Sequence, residues 1–368
     1  MSQESALRIE TDSTGVPLDR RTLMEVVRDL RNKGQEVYPA AFTNHFLKYV
    51  GDEEKQGGRI LVPLAFISNV TSVHCNESGQ WSVFKSDRYG FTNENTAWHS
   101  PDLDSRKVVL LGDSFVEGRC VQQGEDIASE LRRKGIHAIS LGTTSSGPIR
   151  ELATLKEYAL PLQPRIILWC FYEGNELDDI VTESRDLFLK QYLQPHFTQH
   201  LLSRQSEIDQ VWKSFLRERI KEQEQQTGDS TTFSQHLDSY FHRLLPYFTL
   251  YQIRKRLAFV RGRFRDDLGL QLLREPLASA KDLSDTNDIE LILVYLPSRM
   301  SFTGGSLSTR ASVKRLAASL EIPVIDLYDV FMQSQDPLQF FHKPRRFVHY
   351  TPEGYRVVAA AIGRYLEN

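Results

Sequence analysis

The stretch that decides the fold is VVLLGDSFVEGRC, residues 108–120. Four apolar residues run into Gly112-Asp113-Ser114, after which a helix is expected. A short apolar run bounded by a turn suits a strand buried on both faces. Gly, Asp and Ser are favoured at such a turn for conformational reasons alone. Ser114 by itself is therefore as consistent with a helix cap as with a nucleophile, and its neighbours in the chain have to decide.

Outward from this stretch, strand and helix patterns alternate. HAISL (137–141) and RIILWCFY (165–172) repeat the apolar run. EDIASELRRKG (125–135), closed by Gly135, and IRELATLKEYAL (149–160) carry helical spacing. The alternation returns at IELILVYLP (289–297), STRASVKRLAASLE (308–321) and PVIDLY (323–328). It closes with TPEGYRVVAAAIGRYLE (351–367), where Thr351 suits an N-cap and Pro352 the first helical position. Continuous apolar strands separated by helices predict a parallel sheet covered on both faces, an α/β architecture.

Two segments fall outside that rhythm. Residues 1–104 read as an N-terminal α+β lead-in. There DRRTLMEVVRDLRNKG (19–34) is an amphipathic helix, with Leu23, Val26, Val27 and Leu30 on one face and Gly34 as its stop. RILVPLAFI (59–67) and QWSVFKSD (80–87) read as short strands. Residues 183–283 read as a long polar helical insertion, dividing the α/β unit into 105–182 and 284–368. Within the insertion, YQIRKRLAFVRGRFR (251–265) spaces Ile253, Leu257, Val260 and Phe264 helically among basic residues. That suits a core-packed helix with a solvated basic face better than contact with a membrane surface.

The bulk composition narrows the function classes. The chain has 368 residues, 25% charged and 10% aromatic, with a net charge of −3. This is the balance of an ordinary globular protein, and nothing in it points to nucleic acid. No apolar run is long enough for a transmembrane helix, and the first residues lack the apolar core of a signal peptide. A cytoplasmic location is expected, or an extracytoplasmic one if an anchor was removed. The three cysteines, Cys75, Cys120 and Cys170, form no C-x-x-C pair, and no histidine spacing suggests a ligand set. No metal and no cofactor are therefore expected. Cys170 reads as a buried small hydrophobe. Cys75 and Cys120 are expected as free thiols, with a pairing in an oxidising compartment as the alternative.

In an open parallel sheet, ligands bind beyond the carboxyl ends of the strands. Four stretches fall at or near such places: Ser114, GTTSSGP (142–148), EGNELDD (173–179) and His349 in FVHYTPEGY (347–355). A serine, a base to take its proton, and fixed donors for an oxyanion are what acyl transfer requires. Asp178 and Asp179 read as solvated residues of a helix's first turn.

In these four blocks the sequence resembles the SGNH (GDSL-type) hydrolases, over residues 105–182 and 284–368 and in the family's order. The resemblance implies a three-layer α/β/α fold with a central parallel sheet. It implies Ser114 as nucleophile and His349 as base. The oxyanion hole it implies is the backbone N–H of Ser114, an N–H of Ser145 or Gly147, and the Asn175 amide. A looser resemblance of residues 86–121 is to members associated with bacterial surface polysaccharides. An esterase acting on an O-acetyl or other acyl ester, small-molecule or carbohydrate, is the expectation that follows. An acyltransferase and a catalytically silent polysaccharide-binding fold are its rivals. The chain departs from the family at Arg346, three residues before His349, where an acid is usual. A backbone carbonyl, or a distant acid such as Asp336, is left to orient His349.

Overall fold

The computed structural model describes residues 9–11, 17–50, 61–99, 107–226, 251–305, 307–342 and 349–367, with side chains described from 18 to 221 and from 266 onward within those ranges. Ten strands are present among them: β1 (Ile9–Thr11), β2 (Pro17–Asp19), β3 (Val37–Pro39), β4 (Thr71–Val73), β5 (Val83–Lys85), β6 (Val108–Leu111), β7 (Ala138–Ser140), β8 (Ile166–Tyr172), β9 (Glu290–Leu296) and β10 (Val324–Asp326). The last five form one sheet in the order β10-β9-β8-β6-β7, and every neighbouring pair is parallel. The order reverses between β6 and β8. The chain winds outward one way from β6 to β7 and the other way from β8 to β10. The loops leaving β6 and β8 therefore diverge to opposite faces and open a crevice between them, the switch point at which such sheets bind ligands.

The sheet is buried on both sides, as its apolar runs demand. Val109, Leu111, Ile167, Trp169, Phe171, Leu291 and Leu293 belong to one hydrophobic cluster. The alternate residues Val108, Leu110, Ile166, Leu168, Cys170, Ile292 and Val294 belong to the other. Helices Ile127–Arg133 and Pro352–Glu367 pack on the second face. Helices Pro148–Thr154 and Glu176–Glu183, together with Leu273, Leu277 and Ala280 of helix Tyr251–Thr286, cover the first. The expected three-layer α/β/α arrangement is thus present.

The lead-in has a small core of its own, Val26, Val27, Val37 and Val73 between helix Leu23–Asn32 and strands β3 and β4, but most of its buried apolar residues lie elsewhere. Ala41, Phe46, Leu61, Val62, Leu64, Phe91 and Trp98 join the cluster on the first sheet face, and so do Tyr192, Ile208 and Trp212 from the insertion. Helix Leu23–Asn32 forms where its spacing predicts, held at its start by a capping box between Thr22 and Glu25. Over 61–67, the described part of RILVPLAFI, the expected strand is not formed, because several of its buried backbone groups find side chains instead of a ladder. Val62 exchanges both of its bonds with the Gln199 amide, and Trp212 Nε1 donates to the Ala65 carbonyl. A satisfied backbone has no need of a neighbouring strand. Strands β3, β4 and β5 make a separate small sheet, with β4 antiparallel to β5. The basic stretch 251–265 is helical in backbone, but its side chains lie outside the described residues. No helix among the described residues is long and apolar enough to cross a membrane.

One close approach fixes the crevice floor. Gly142, just after β7, lies against the helix that follows β6. A Cβ there would sit 2.4 Å from Glu117 N and 2.6 Å from the Val116 carbonyl carbon. These are backbone atoms and cannot swing aside. Gly142→Ala is expected to cost about 1–3 kcal/mol of stability as an overpacked contact, read as a lower melting temperature; an unchanged value would contradict this packing.

Candidate active site

Strand β6 ends at Leu111. Gly112, with φ of 157°, leads to Asp113, whose buried carboxylate accepts from the Phe115 N–H at 2.9 Å and caps helix Ser114–Glu117. The hydroxyl of Ser114 is thereby presented at the helix start. His349 comes from the far end of the chain, just before the last helix, whose start Thr351 and Pro352 mark as expected; the Gly354 N–H donates to Thr351 Oγ1. Its backbone carbonyl accepts from His342 N, and the next residue, Tyr350, donates its hydroxyl to the Pro297 carbonyl at 2.7 Å. Phe115, stacked on Tyr172 at 3.7 Å, lies 4.9 Å from the His349 ring and walls one side of it.

These constraints bring His349 Nε2 to 3.0 Å from Ser114 Oγ. The other ring nitrogen, Nδ1, is 3.0 Å from Glu77 Oε1, and the His349 backbone N–H donates to Glu77 Oε2 at 2.9 Å. A carboxylate only accepts, so the proton sits on Nδ1 and Nε2 is left as acceptor for the serine hydroxyl. Burial pushes the Glu77 carboxyl up, but the His349 contacts and the nearby Arg119 charge outweigh it and hold it below the usual range. Glu77 is therefore a carboxylate at neutral pH. Asp336 does not fill this position: its side chain is spent capping a short turn, where it accepts from the Leu338 N–H at 3.0 Å. Arg346 lies outside the described residues.

Glu77 belongs to the hairpin joining β4 to β5, on the small sheet. Two residues before it, Cys75 is bonded to Cys120, which follows the Ser114 helix. The expectation of two free thiols is thus overturned. The bond spans 45 residues of sequence, and by chain entropy a loop of that size contributes roughly 4 kcal/mol. Cys170 is free and buried, as expected.

The oxyanion candidates separate. The Gly147 N–H donates to Glu183 Oε1 at 2.8 Å and is not free for a substrate. Ser145 has a left-handed φ of 60°, its carbonyl is held by Asn44 Nδ2 at 3.2 Å, and its N–H meets no acceptor among the described residues. The Ser114 N–H is likewise without one. Asn175, after β8, turns its amide toward the crevice floor, where Nδ2 donates to Asp113 Oδ2 at 3.0 Å and Asp179 Oδ2 at 2.8 Å. Both of its hydrogens are engaged, so donating to a substrate oxygen means exchanging one of these contacts. Asp179 is consequently not the solvated residue the sequence suggests. Burial, and then the Glu183 charge, push its carboxyl up to about 8, against the pull of Arg150.

Behind Asn175 lie further acids. Glu151 and Glu176 are almost wholly buried and their carboxyl groups hydrogen-bond to one another, with no N–H donor to either among the described residues. Burial, first, and neighbouring carboxylate charge raise both well above the usual range. The native state thus keeps protons that the unfolded chain releases above the ordinary glutamate range, so stability falls as pH rises through that interval. Glu176→Gln, which fixes the neutral form, is expected to raise the melting temperature more at pH 8 than at pH 5. Equal shifts at both values would contradict a protonated Glu176.

No family model matches this chain and no curated protein matches it. Among solved structures, it is similar to the lipase/acylhydrolase from Enterococcus faecalis, at 14% identity over 71% of this chain and 95% of that one, with a TM-score of 0.38. A GDSL-like lipase from Bacteroides thetaiotaomicron matches at 16% identity over 74% and 94%, with a TM-score of 0.37. An acetyl xylan esterase matches at 13% identity over 71% and 99%, with a TM-score of 0.38. Likenesses at this level carry no weight on function; the side-chain geometry of this chain does.

Proposed function

We propose that the protein is a serine esterase of SGNH type that cleaves an acyl ester through an acyl-enzyme on Ser114. The observation that carries this reading is the continuous hydrogen-bonded chain from Ser114 Oγ through both nitrogens of His349 to Glu77. A serine hydroxyl is a weak nucleophile until a base takes its proton, and the imidazole is placed to do so. Glu77 holds the ring in the required tautomer and offsets the charge it acquires.

In the proposed reaction, Ser114 Oγ attacks the ester carbonyl carbon while its proton passes to His349 Nε2. The tetrahedral oxyanion is met by the backbone N–H groups of Ser114 and Ser145, with Asn175 Nδ2 as third donor. Collapse breaks the bond to the alcohol, which leaves with the proton from Nε2. A water molecule then gives a proton to Nε2 as it attacks the acyl carbon; collapse breaks the acyl–Oγ bond, Nε2 returns the proton to Oγ, and the carboxylic acid leaves with Ser114 and His349 restored. The resemblance of the four sequence blocks makes an O-acetyl group on a carbohydrate the substrate class of choice. The Cys75–Cys120 bond favours an extracytoplasmic location over the cytoplasmic one, since disulfides persist in oxidising compartments.

Hydrolysis of p-nitrophenyl acetate, and acetate release from acetylated glycans, test the reading. Ser114→Ala and His349→Ala are expected to abolish turnover above background. Asn175→Ala is expected to lower kcat about 10²–10³-fold, the usual cost of one oxyanion donor. Full activity in Ser114→Ala would overturn the proposal. Acyl transfer to an added sugar outpacing hydrolysis would reassign the enzyme as an acyltransferase. Glycan binding without turnover, unchanged in Ser114→Ala, would favour the silent binding fold.

A further inference from the structure

His349 and Glu77 stand beside different sheets. His349 precedes a helix packed on the five-stranded sheet, whereas Glu77 sits in the β4–β5 hairpin of the small sheet, and among the described residues no strand pairing joins the two sheets. The hairpin is shaped internally by Ser82 N donating to the Cys75 carbonyl and His74 N to the Ser82 carbonyl. Near its base it meets the segment after Ser114 through the Gln123 amide, which bonds both backbone groups of Lys85, and through Gln122 Nε2 on the Trp81 carbonyl at 3.4 Å. These contacts are exposed to water and individually weak.

The Cys75–Cys120 bond is different in kind. Both cysteines are buried, and the bond fixes the hairpin two residues from Glu77 to a point six residues beyond Ser114. Cys120, at a left-handed φ of 70°, places its sulfur 3.3 Å from His349 Nδ1, beside the nitrogen that Glu77 engages. Ser114, His349, Glu77 and the disulfide therefore form one contiguous cluster.

We propose that the Cys75–Cys120 disulfide is a positioning element of the catalytic site: it clamps the acid-bearing hairpin so that Glu77 meets His349. The proposal rests on the esterase reading and on Glu77 as partner of the base. A displacement of about 1 Å in such a constellation costs on the order of 10²-fold in rate. The clamp acts on the rate through Glu77, so its loss and the loss of Glu77 have largely the same consequence and do not add.

The test is a double-mutant cycle between Cys75→Ala/Cys120→Ala and Glu77→Gln, read as kcat, KM and the pH profile of kcat/KM on p-nitrophenyl acetate. The cysteine pair is expected to lower kcat roughly 10–10²-fold with KM nearly unchanged. It should change the pH profile in the same way as Glu77→Gln does, because both part the imidazole from its carboxylate. In the Glu77→Gln background the cysteine substitutions should cost little more. Should the double alanine variant fail to fold, native protein treated with dithiothreitol gives the same comparison. The reagent's two thiols become its cyclic disulfide as the two protein sulfurs become thiols, and circular dichroism checks that the fold persists. Wild-type kcat and pH profile without the disulfide would overturn the proposal, as would equal losses in the presence and absence of Glu77, the mark of a general loss of stability. Wild-type kinetics in Glu77→Gln itself would instead remove Glu77 from the mechanism, and the clamp with it.

Discussion

An imidazole has two nitrogens, and at His349 both are engaged by side chains brought from other parts of the chain. Ser114 arrives from the end of β6 and Glu77 from the hairpin of the small sheet, while His349 itself waits before the last helix. Satisfying that one ring fixes the tautomer that makes Nε2 an acceptor. It also requires the lead-in to dock on the sheet. Lead-in and sheet share one hydrophobic cluster, so the docking is a packing event rather than a hinge between independent units.

The crevice itself follows from chain topology. A parallel sheet buried on both faces needs helices on both, and the reversal between β6 and β8 parts the loops at their ends. The apolar runs of β6, β8 and β9 made this architecture legible without structure, and the ordering of the four blocks along them made Ser114, Asn175 and His349 legible as a set. The helix at 23–32 was equally readable, because its apolar spacing and its stop at Gly34 are both local signals.

What could not be read depends on contacts distant in sequence. Glu77 is 272 residues from His349, and its stretch, HCNES, has no pattern of its own. The one signal in the sequence is the alternative pairing of Cys75 with Cys120, which carries Glu77 toward Ser114. The choice between Ser145 and Gly147 turned on Glu183, a buried carboxylate 36 residues away that consumes the Gly147 N–H. Asp179 misled for a related reason. Its place in a first helical turn suggests solvent, but the Asn175 amide and the packing around Gly147 enclose it. In the lead-in, an apolar run imitated a strand, because side chains from the insertion bond its backbone.

The carboxyl groups around the crevice show how burial assigns different states to one chemical group. Glu77 remains ionised because His349 and Arg119 counter its desolvation. Asp179, Glu151 and Glu176 are pushed the other way, by burial among other acids. The proposed chemistry uses the ionised one against the imidazole and keeps the protonated ones behind the oxyanion donor, where added negative charge would oppose the developing oxyanion. The measurement that bears most directly on the whole account is intact mass and peptide mapping after treatment with a fluorophosphonate. A single adduct on Ser114, lost in Ser114→Ala and slowed in both His349→Ala and Glu77→Gln, is the predicted result. A well-folded protein that takes no adduct, or takes it on another residue, would contradict it.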